Sequence, residues 1–183
     1  MRKFDYTFLK KISVPADIMN SATSIYEMKA KAELRRTDFA EVFSAMESVA
    51  KIQSVKSSNA IEGIITTDKR IRDIVNKSTA PQGHNELEIA GYRDALDLIH
   101  SSYSDIPFSE KSILELHRIL LQPSGDDLAG KYKTEDNFIM ETDRLGVRSV
   151  CFTPIPASET SASMEQLILA YHDAYSESEI NPL

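Results

Sequence analysis

FAEVFSAMESVAKIQSVKSSNAIEGI, the run from Phe39 to Ile64, is the stretch whose reading decides the fold. Phe39, Val42, Phe43, Met46, Val49 and Ala50 recur at steps of three and four, the spacing of one face of an α-helix, and predict a stripe that belongs to the core. Asp38, followed three positions later by Glu41, is placed to form a capping box at the start. The run ends in Ser57-Ser58-Asn59-Ala60-Ile61-Glu62-Gly63-Ile64, where Gly63 can take the left-handed conformation that closes a helix and Glu62 is the last polar side chain. A carboxylate at the negative end of the helix dipole gains little unless a cation lies opposite, so Glu62 implies a cationic partner. The plainer reading is a solvated glutamate beside a capping glycine.

Working outward, the 183 residues are enough for one domain, with a loosely attached arm, that buries roughly 70% of its unfolded surface. Apolar residues make up 42% and charged ones 27%, the composition of an ordinary globular protein. Twenty-one basic against 28 acidic residues give a net charge of -7, which argues against general affinity for nucleic acid or an anionic membrane. Cys151 is the only cysteine, so an internal disulfide and a cysteine-based metal site are both excluded, and a reducing, cytoplasmic setting is expected. No run reaches the length of a membrane span, and the start lacks the apolar core of a signal peptide. With no Trp and few Gly or Pro, helix should dominate.

Toward the N-terminus, a basic arm over residues 1 to 12 precedes a helix expected from Pro15 to about Arg36, with Ile18, Ala22, Ile25 and Tyr26 on one face. Toward the C-terminus, Thr67 or Asp68 caps a short helix with Ile71, Ile74 and Val75 inward. The connector from Lys77 to Asn85, with Pro81 and Gly83, reads as a hinge, and Asn85 with Glu88 opens the next helix, along which Ile89, Tyr92, Leu96, Ile99 and Tyr103 align. Ser109 caps another, whose inward side holds Ile113, Leu116, His117, Leu120 and Leu121. His117 on that apolar face reads as a hydrogen-bonded core histidine, since no second histidine lies at metal-ligand spacing. Helical periodicity stops between Gln122 and Ala157. There, the β-favouring runs Asn137 to Met140 and Val147 to Thr153 predict a hairpin with an edge open to an added strand. A last helix opens near Ser158 or Ser161, with Met164, Leu167, Ile168, Tyr171 and Tyr175 on one face. The fold class is therefore all-α with one small β-hairpin. Residues 1–80 are expected to form a helical arm, and 81–183 a helical core whose hairpin region spans 122–157.

Ser58, Glu62 and Gly63 fit the pattern Ser/Thr-x-x-x-Glu-Gly/Asn, which resembles the inhibitory helix motif of the Fic family, proteins that transfer AMP from ATP to protein hydroxyls. The resemblance continues through Asn85-Glu86 to Leu96, Leu116-His117-Arg118-Ile119-Leu120, Ala129-Gly130-Lys131-Tyr132-Lys133, Asn137-Phe138-Ile139, Phe152-Thr153-Pro154-Ile155-Pro156 and Asn181-Pro182-Leu183. The family's signature H-x-F-x-[DE]-G-N-G-R-x-x-R is absent from these residues. The resemblance thus implies a chain that stops just before its catalytic segment.

What the resemblance implies is a division of labour. The missing signature would supply the histidine base, the acidic magnesium ligand and the phosphate-cradling loop, so ATP and magnesium belong to the complete protein and this chain holds no cofactor. The glutamate matching Glu62 would pair with the signature's last arginine and compete with the γ-phosphate for it, a contest between two groups that both take bidentate hydrogen bonds. The hairpin resembles the family's flap, with Asn137, Phe138 and Ile139 registering the segment of a target protein that bears the hydroxyl. Taken alone, the chain shows no catalytic triad, glycine-rich phosphate loop or metal cluster. Two readings follow: the inhibitory and target-positioning portion of a Fic-type adenylyltransferase, or a non-catalytic helical protein-interaction module. Either is compatible with an oligomer.

Overall fold

The computed structural model describes residues 4–176. Its helices are α1 (Ala16–Arg35), α2 (Ala40–Ile61), α3 (Asp68–Val75), α4 (Gly83–Ser102), α5 (Glu110–Leu121) and α6 (Thr160–Ser176), and between α5 and α6 the strands β1 (Ile139–Thr142) and β2 (Arg148–Phe152) form an antiparallel hairpin. The mainly helical class with one small hairpin is what the sequence predicts. The expected residues Asn181, Pro182 and Leu183 lie outside the described part.

Local chemistry accounts for several of the boundaries. The Thr67 hydroxyl accepts the amide of Arg70, and the Ser109 hydroxyl accepts that of Ser112, satisfying one otherwise orphaned donor at each helix start. The capping box expected at Asp38 does not form. A turn bonded from the Phe39 amide to the Arg35 carbonyl carries the chain past Asp38, so Phe39 takes the capping position without a side-chain bond. Helix α4 starts at Gly83, two residues before the expected Asn85.

The core lies where α2, α3 and α4 meet. Val55 of α2, Ile71, Ile74 and Val75 of α3, and Ile89 and Ala90 of α4 form one buried cluster, with Ile52, Ile64, Tyr92 and Leu96 packed against it. Burying an aliphatic side chain of this kind stabilises by roughly 1.5–3 kcal/mol. Polar groups close its edges. The nearly buried Arg93 donates to the Ile74 carbonyl at 2.6 Å, satisfying the end of α3, and pairs through two 2.9 Å bonds with Asp94. Arg70 holds Glu86 bidentately and also donates to Thr79 Oγ1 at 3.0 Å and the Ala80 carbonyl at 3.2 Å, so the connector expected as a hinge is pinned from α3. Helices α4 and α5 approach backbone to backbone at Gly91, where an added Cβ would sit 1.9 Å from the Leu120 carbonyl oxygen.

The apolar stripe of α2 departs from expectation. Phe39, Val42, Met46 and Val49 are all more than half exposed, Ala50 is exposed, and Phe43 is only half-buried. The side of α2 that meets the core carries Ile52, Val55 and Asn59. Val55 lies roughly 140° around the helix from Val42 at 3.6 residues per turn. The face expected on α1 behaves likewise, with Ala22 buried and Ile18, Ile25 and Tyr26 exposed. Along α4 the inward line ends early, leaving Ile99 and Tyr103 exposed.

Candidate functional site

The end of α2 is closed by two backbone bonds of the kind that define a Schellman cap. Gly63, at φ 78°, donates to the Ala60 carbonyl at 3.1 Å, and Ile64 donates to that of Asn59 at 2.9 Å. The left-handed geometry, not lack of space, calls for glycine, because a Cβ there would meet nothing within 4 Å. Ile64 then turns back onto the core, while the buried Asn59 satisfies itself by donating from Nδ2 to the Val55 carbonyl at 2.8 Å. This fixes the direction in which the last turn presents its side chains.

A cleft of about 590 Å³ opens beside that turn, lined by Ser58, Ile61, Glu62 and Ile64 together with Glu88 and Tyr92 of α4 and Leu120 and Leu121 of α5. Glu62 is exposed at its rim, and its carboxylate has no hydrogen-bond or ion-pair partner among the described residues. Glu88 pairs with His84 at 2.7 Å. No basic side chain lines the cleft, so it carries two carboxylates on a wall of Ile61, Ile64, Leu120 and Leu121 with the polar Ser58, Asn59 and Tyr92, a setting suited to a guanidinium or ammonium group. Ser58 is not bonded to Glu62. Its Oγ accepts the Tyr92 hydroxyl at 2.8 Å, which fastens the motif to α4. Reading the sequence assigned Tyr92 to the apolar line of α4 and Glu88 to its start. Their four-residue spacing puts them on one face, but only the packing of α4 against α2 brings that face to Ser58.

The other expected site residues lie elsewhere. Asn137 and Phe138 precede β1, Ile139 begins it, and none of the three lines the cleft. Ile139 pairs with Phe152 and Met140 with Val150, an irregular register that breaks the ladder at the start of the strand. All nine strand residues are exposed. The base of the hairpin is anchored: His117 Nδ1 accepts the Gly130 amide at 3.2 Å, and the Tyr132 hydroxyl donates to Glu110 at 2.9 Å. Burial first, and the Glu110 carboxylate second, push the Tyr132 phenol up to about 12, so it stays a donor. His117 is thus a hydrogen-bonded helix residue. Asp136 accepts the Ala157 amide at 2.7 Å and ties the two ends of the excursion together.

A second cleft of about 690 Å³ lies between α2 and the ends of α3 and α4, but its charges are spent on one another, Arg36 on Glu47 and Lys51 on Asp97. Among the described residues no cluster of His, Cys, Asp or Glu is arranged to hold a metal ion, and no helix is long and apolar enough to cross a membrane. The chain matches no known family model and no curated protein.

Proposed function

We propose that this chain is the regulatory and target-positioning portion of a Fic-type protein adenylyltransferase, with Glu62 as its inhibitory carboxylate. The observation that carries the reading is the position of Glu62. It stands at the capped end of α2, on the rim of a cleft whose other charge is also negative, and no cation among the described residues answers it. In the resemblance the answering group is the last arginine of the absent signature. A cleft lined by carboxylates repels a triphosphate, so ATP does not fit the residues present, and no reaction step runs through it here. The exposed hairpin, anchored through His117 and Tyr132, serves this reading as the strand against which a target segment pairs, with Asn137, Phe138 and Ile139 at its entry.

Two measurements test the proposal. Calorimetry of the chain with magnesium and ATP should show no binding in the micromolar range; such binding would demand a nucleotide site that the reading does not contain. In a version extended through the signature, Glu62→Gly should raise AMP transfer at fixed ATP with an unchanged melting curve. An obstructed state favoured by about 1.4 kcal/mol leaves roughly a tenth of molecules competent, so the gain is up to about tenfold for that bias and larger for a stronger one. Equal rates would reduce Glu62 to a solvated helix end. A second reading, a non-catalytic helical interaction module, is favoured by the uncovered apolar stripes of α1 and α2.

A further inference from the structure

Two contacts fix how α2 lies along α4. Lys51 pairs with Asp97, and further along α2 the Ser58 Oγ accepts the hydroxyl of Tyr92, which stands earlier on α4, at 2.8 Å. Residue numbers rise on one helix as they fall on the other, so the two helices run antiparallel. Four more residues in each direction lead to Glu62 and to Glu88, about 6 Å of helix rise on both sides. These two side chains line one cleft. The line of contact therefore has three rungs: an ion pair, a hydrogen bond, and a third that sets two carboxylates on facing walls.

The third rung differs from the others in lacking a group of opposite character. Two carboxylates that share a cleft repel each other, and a cation between them reverses the sign. Glu88 is not simply turned out to solvent, since its side chain is 29% exposed; His84, one turn earlier on α4, meets its Oε1 at 2.7 Å, and Oε2 is left for the cleft. Ile61, Ile64, Leu120 and Leu121 complete the walls. A guanidinium suits such a place better than an ammonium. It is planar and more weakly hydrated, so it tolerates apolar walls, and its five N–H groups point from more than one edge, so two carboxylates can share it.

We propose that Glu88 is a second inhibitory carboxylate: the arginine that answers Glu62 is held between Glu62 and Glu88, one from each wall, and the γ-phosphate must draw it away from both. Glu88 makes no contact with ATP in this scheme; it acts by holding the arginine. The inference rests on Glu62 being the inhibitory carboxylate and gives it a partner on α4.

Two experiments test this. In the 183-residue chain the rung has no cation, so Glu88→Lys should turn it into an ion pair with Glu62 and raise the melting temperature by about 1–3 °C at low salt. Adding Glu62→Gln should remove that gain. A Glu88→Lys chain that melts no higher than wild type would show that the two side chains do not face each other, and overturns the proposal. In a version extended through the signature, Glu88→Gln should lower the apparent KM for ATP about threefold and leave kcat at saturating ATP unchanged, because it enlarges the fraction of molecules whose arginine is free. Glu62→Gly should act more strongly, and Glu88→Asp, which keeps the charge, should stay near wild type. A merely structural role for Glu88 would change kcat or the melting curve without moving KM, and Glu88→Asp then covers the case in which the amide disturbs the fold. If Glu62→Gly raises AMP transfer while Glu88→Gln leaves KM where it was, the inference falls and the role of Glu62 stands; if neither responds, both fall.

Discussion

The two halves of α2 belong to one continuous helix and differ in fate. Val42, Met46 and Val49 in the first half are at least 55% exposed, while Val55 in the second half is fully buried and Asn59 nearly so. Apolar content would predict the reverse, since residues 40–50 hold seven apolar side chains and residues 51–61 only four. What separates them is the company of α3 and α4, whose Ile71, Ile74, Val75 and Ile89 form a surface that only the second half reaches. Burial is a property of a pair of faces. An amphipathic stripe states that a face requires a partner without stating that the partner is there.

The sharpest way to break this comparison uses one residue type on one helix. Val55→Ala removes two methyl groups from a close-packed cluster and should cost about 2–3 kcal/mol, through lost transfer energy and the cavity left behind. Val49→Ala should stay within about 0.5 kcal/mol for the monomer, since the side chain is already in water and alanine is the better helix former. Urea melts of both variants at low protein concentration give the two numbers. Similar losses would mean that the first half of α2 is covered in solution even when the chain is monomeric.

The contrast also marks how far the sequence can be read. Caps at Thr67 and Ser109 and the glycine turn at Gly63 were legible because each is satisfied by hydrogen bonds within a few residues. Asp38 misled because a backbone turn from Arg35 to Phe39 offered an equally local alternative. The hairpin was legible from two β-favouring runs and the Gly146 turn between them, where Asp143 accepts the Leu145 and Val147 amides. The choice of face on α2 was not legible, because both faces carry apolar residues and the deciding contacts come from segments tens of residues away. The cleft around Glu62 was half legible. Glu62, Ser58 and Gly63 stood out from their spacing, whereas Tyr92 and Glu88 join them only through tertiary packing.

A smaller effect distinguishes the two regions by pH. Glu86 accepts two bonds from Arg70 and one from the Gln82 amide at 2.7 Å; the Arg70 bonds first, and the amide with them, hold its carboxyl below the ordinary glutamate value of 4.5 against the opposing pull of burial. A carboxylate depressed in the folded state contributes stability that is present above its unfolded value and lost as pH falls through the folded one. The α3–α4 junction should therefore lose stability below pH 4.5. Glu86→Gln should lower the melting temperature at neutral pH by a few degrees and flatten the acid limb of the melting curve. The exposed pairs on α1, Lys29 with Glu33 and Lys31 with Glu27, should add nothing measurable to that limb. An unchanged acid limb in Glu86→Gln would place the acid sensitivity elsewhere.

The smallest effect concerns the bond that holds the end of α2 to α4. Tyr92→Phe deletes one hydroxyl and keeps the ring that packs against the core, so the loss should be the net worth of a single half-buried hydrogen bond, about 0.5–1.5 kcal/mol. In a chain of this size that is roughly 2–4 °C in melting temperature per kcal/mol. Ser58→Ala removes the other partner, and the double variant should cost less than the two single losses together, with a coupling of at least about 0.5 kcal/mol. Simple additivity would mean that the Tyr92–Ser58 contact is not made in solution. Amide exchange locates the consequence: Asn59 to Ile64 should exchange faster in Tyr92→Phe, while Asp68 to Val75, held by their own core contacts, keep the wild-type pattern relative to global stability. Acceleration that spreads evenly over both segments would show a general loss of stability rather than a released helix end. A local response would mean that the orientation of Glu62 over its cleft depends on one tyrosine of α4, and in a version extended through the signature the same substitution should raise AMP transfer, by less than Glu62→Gly, because it loosens the carboxylate without removing it.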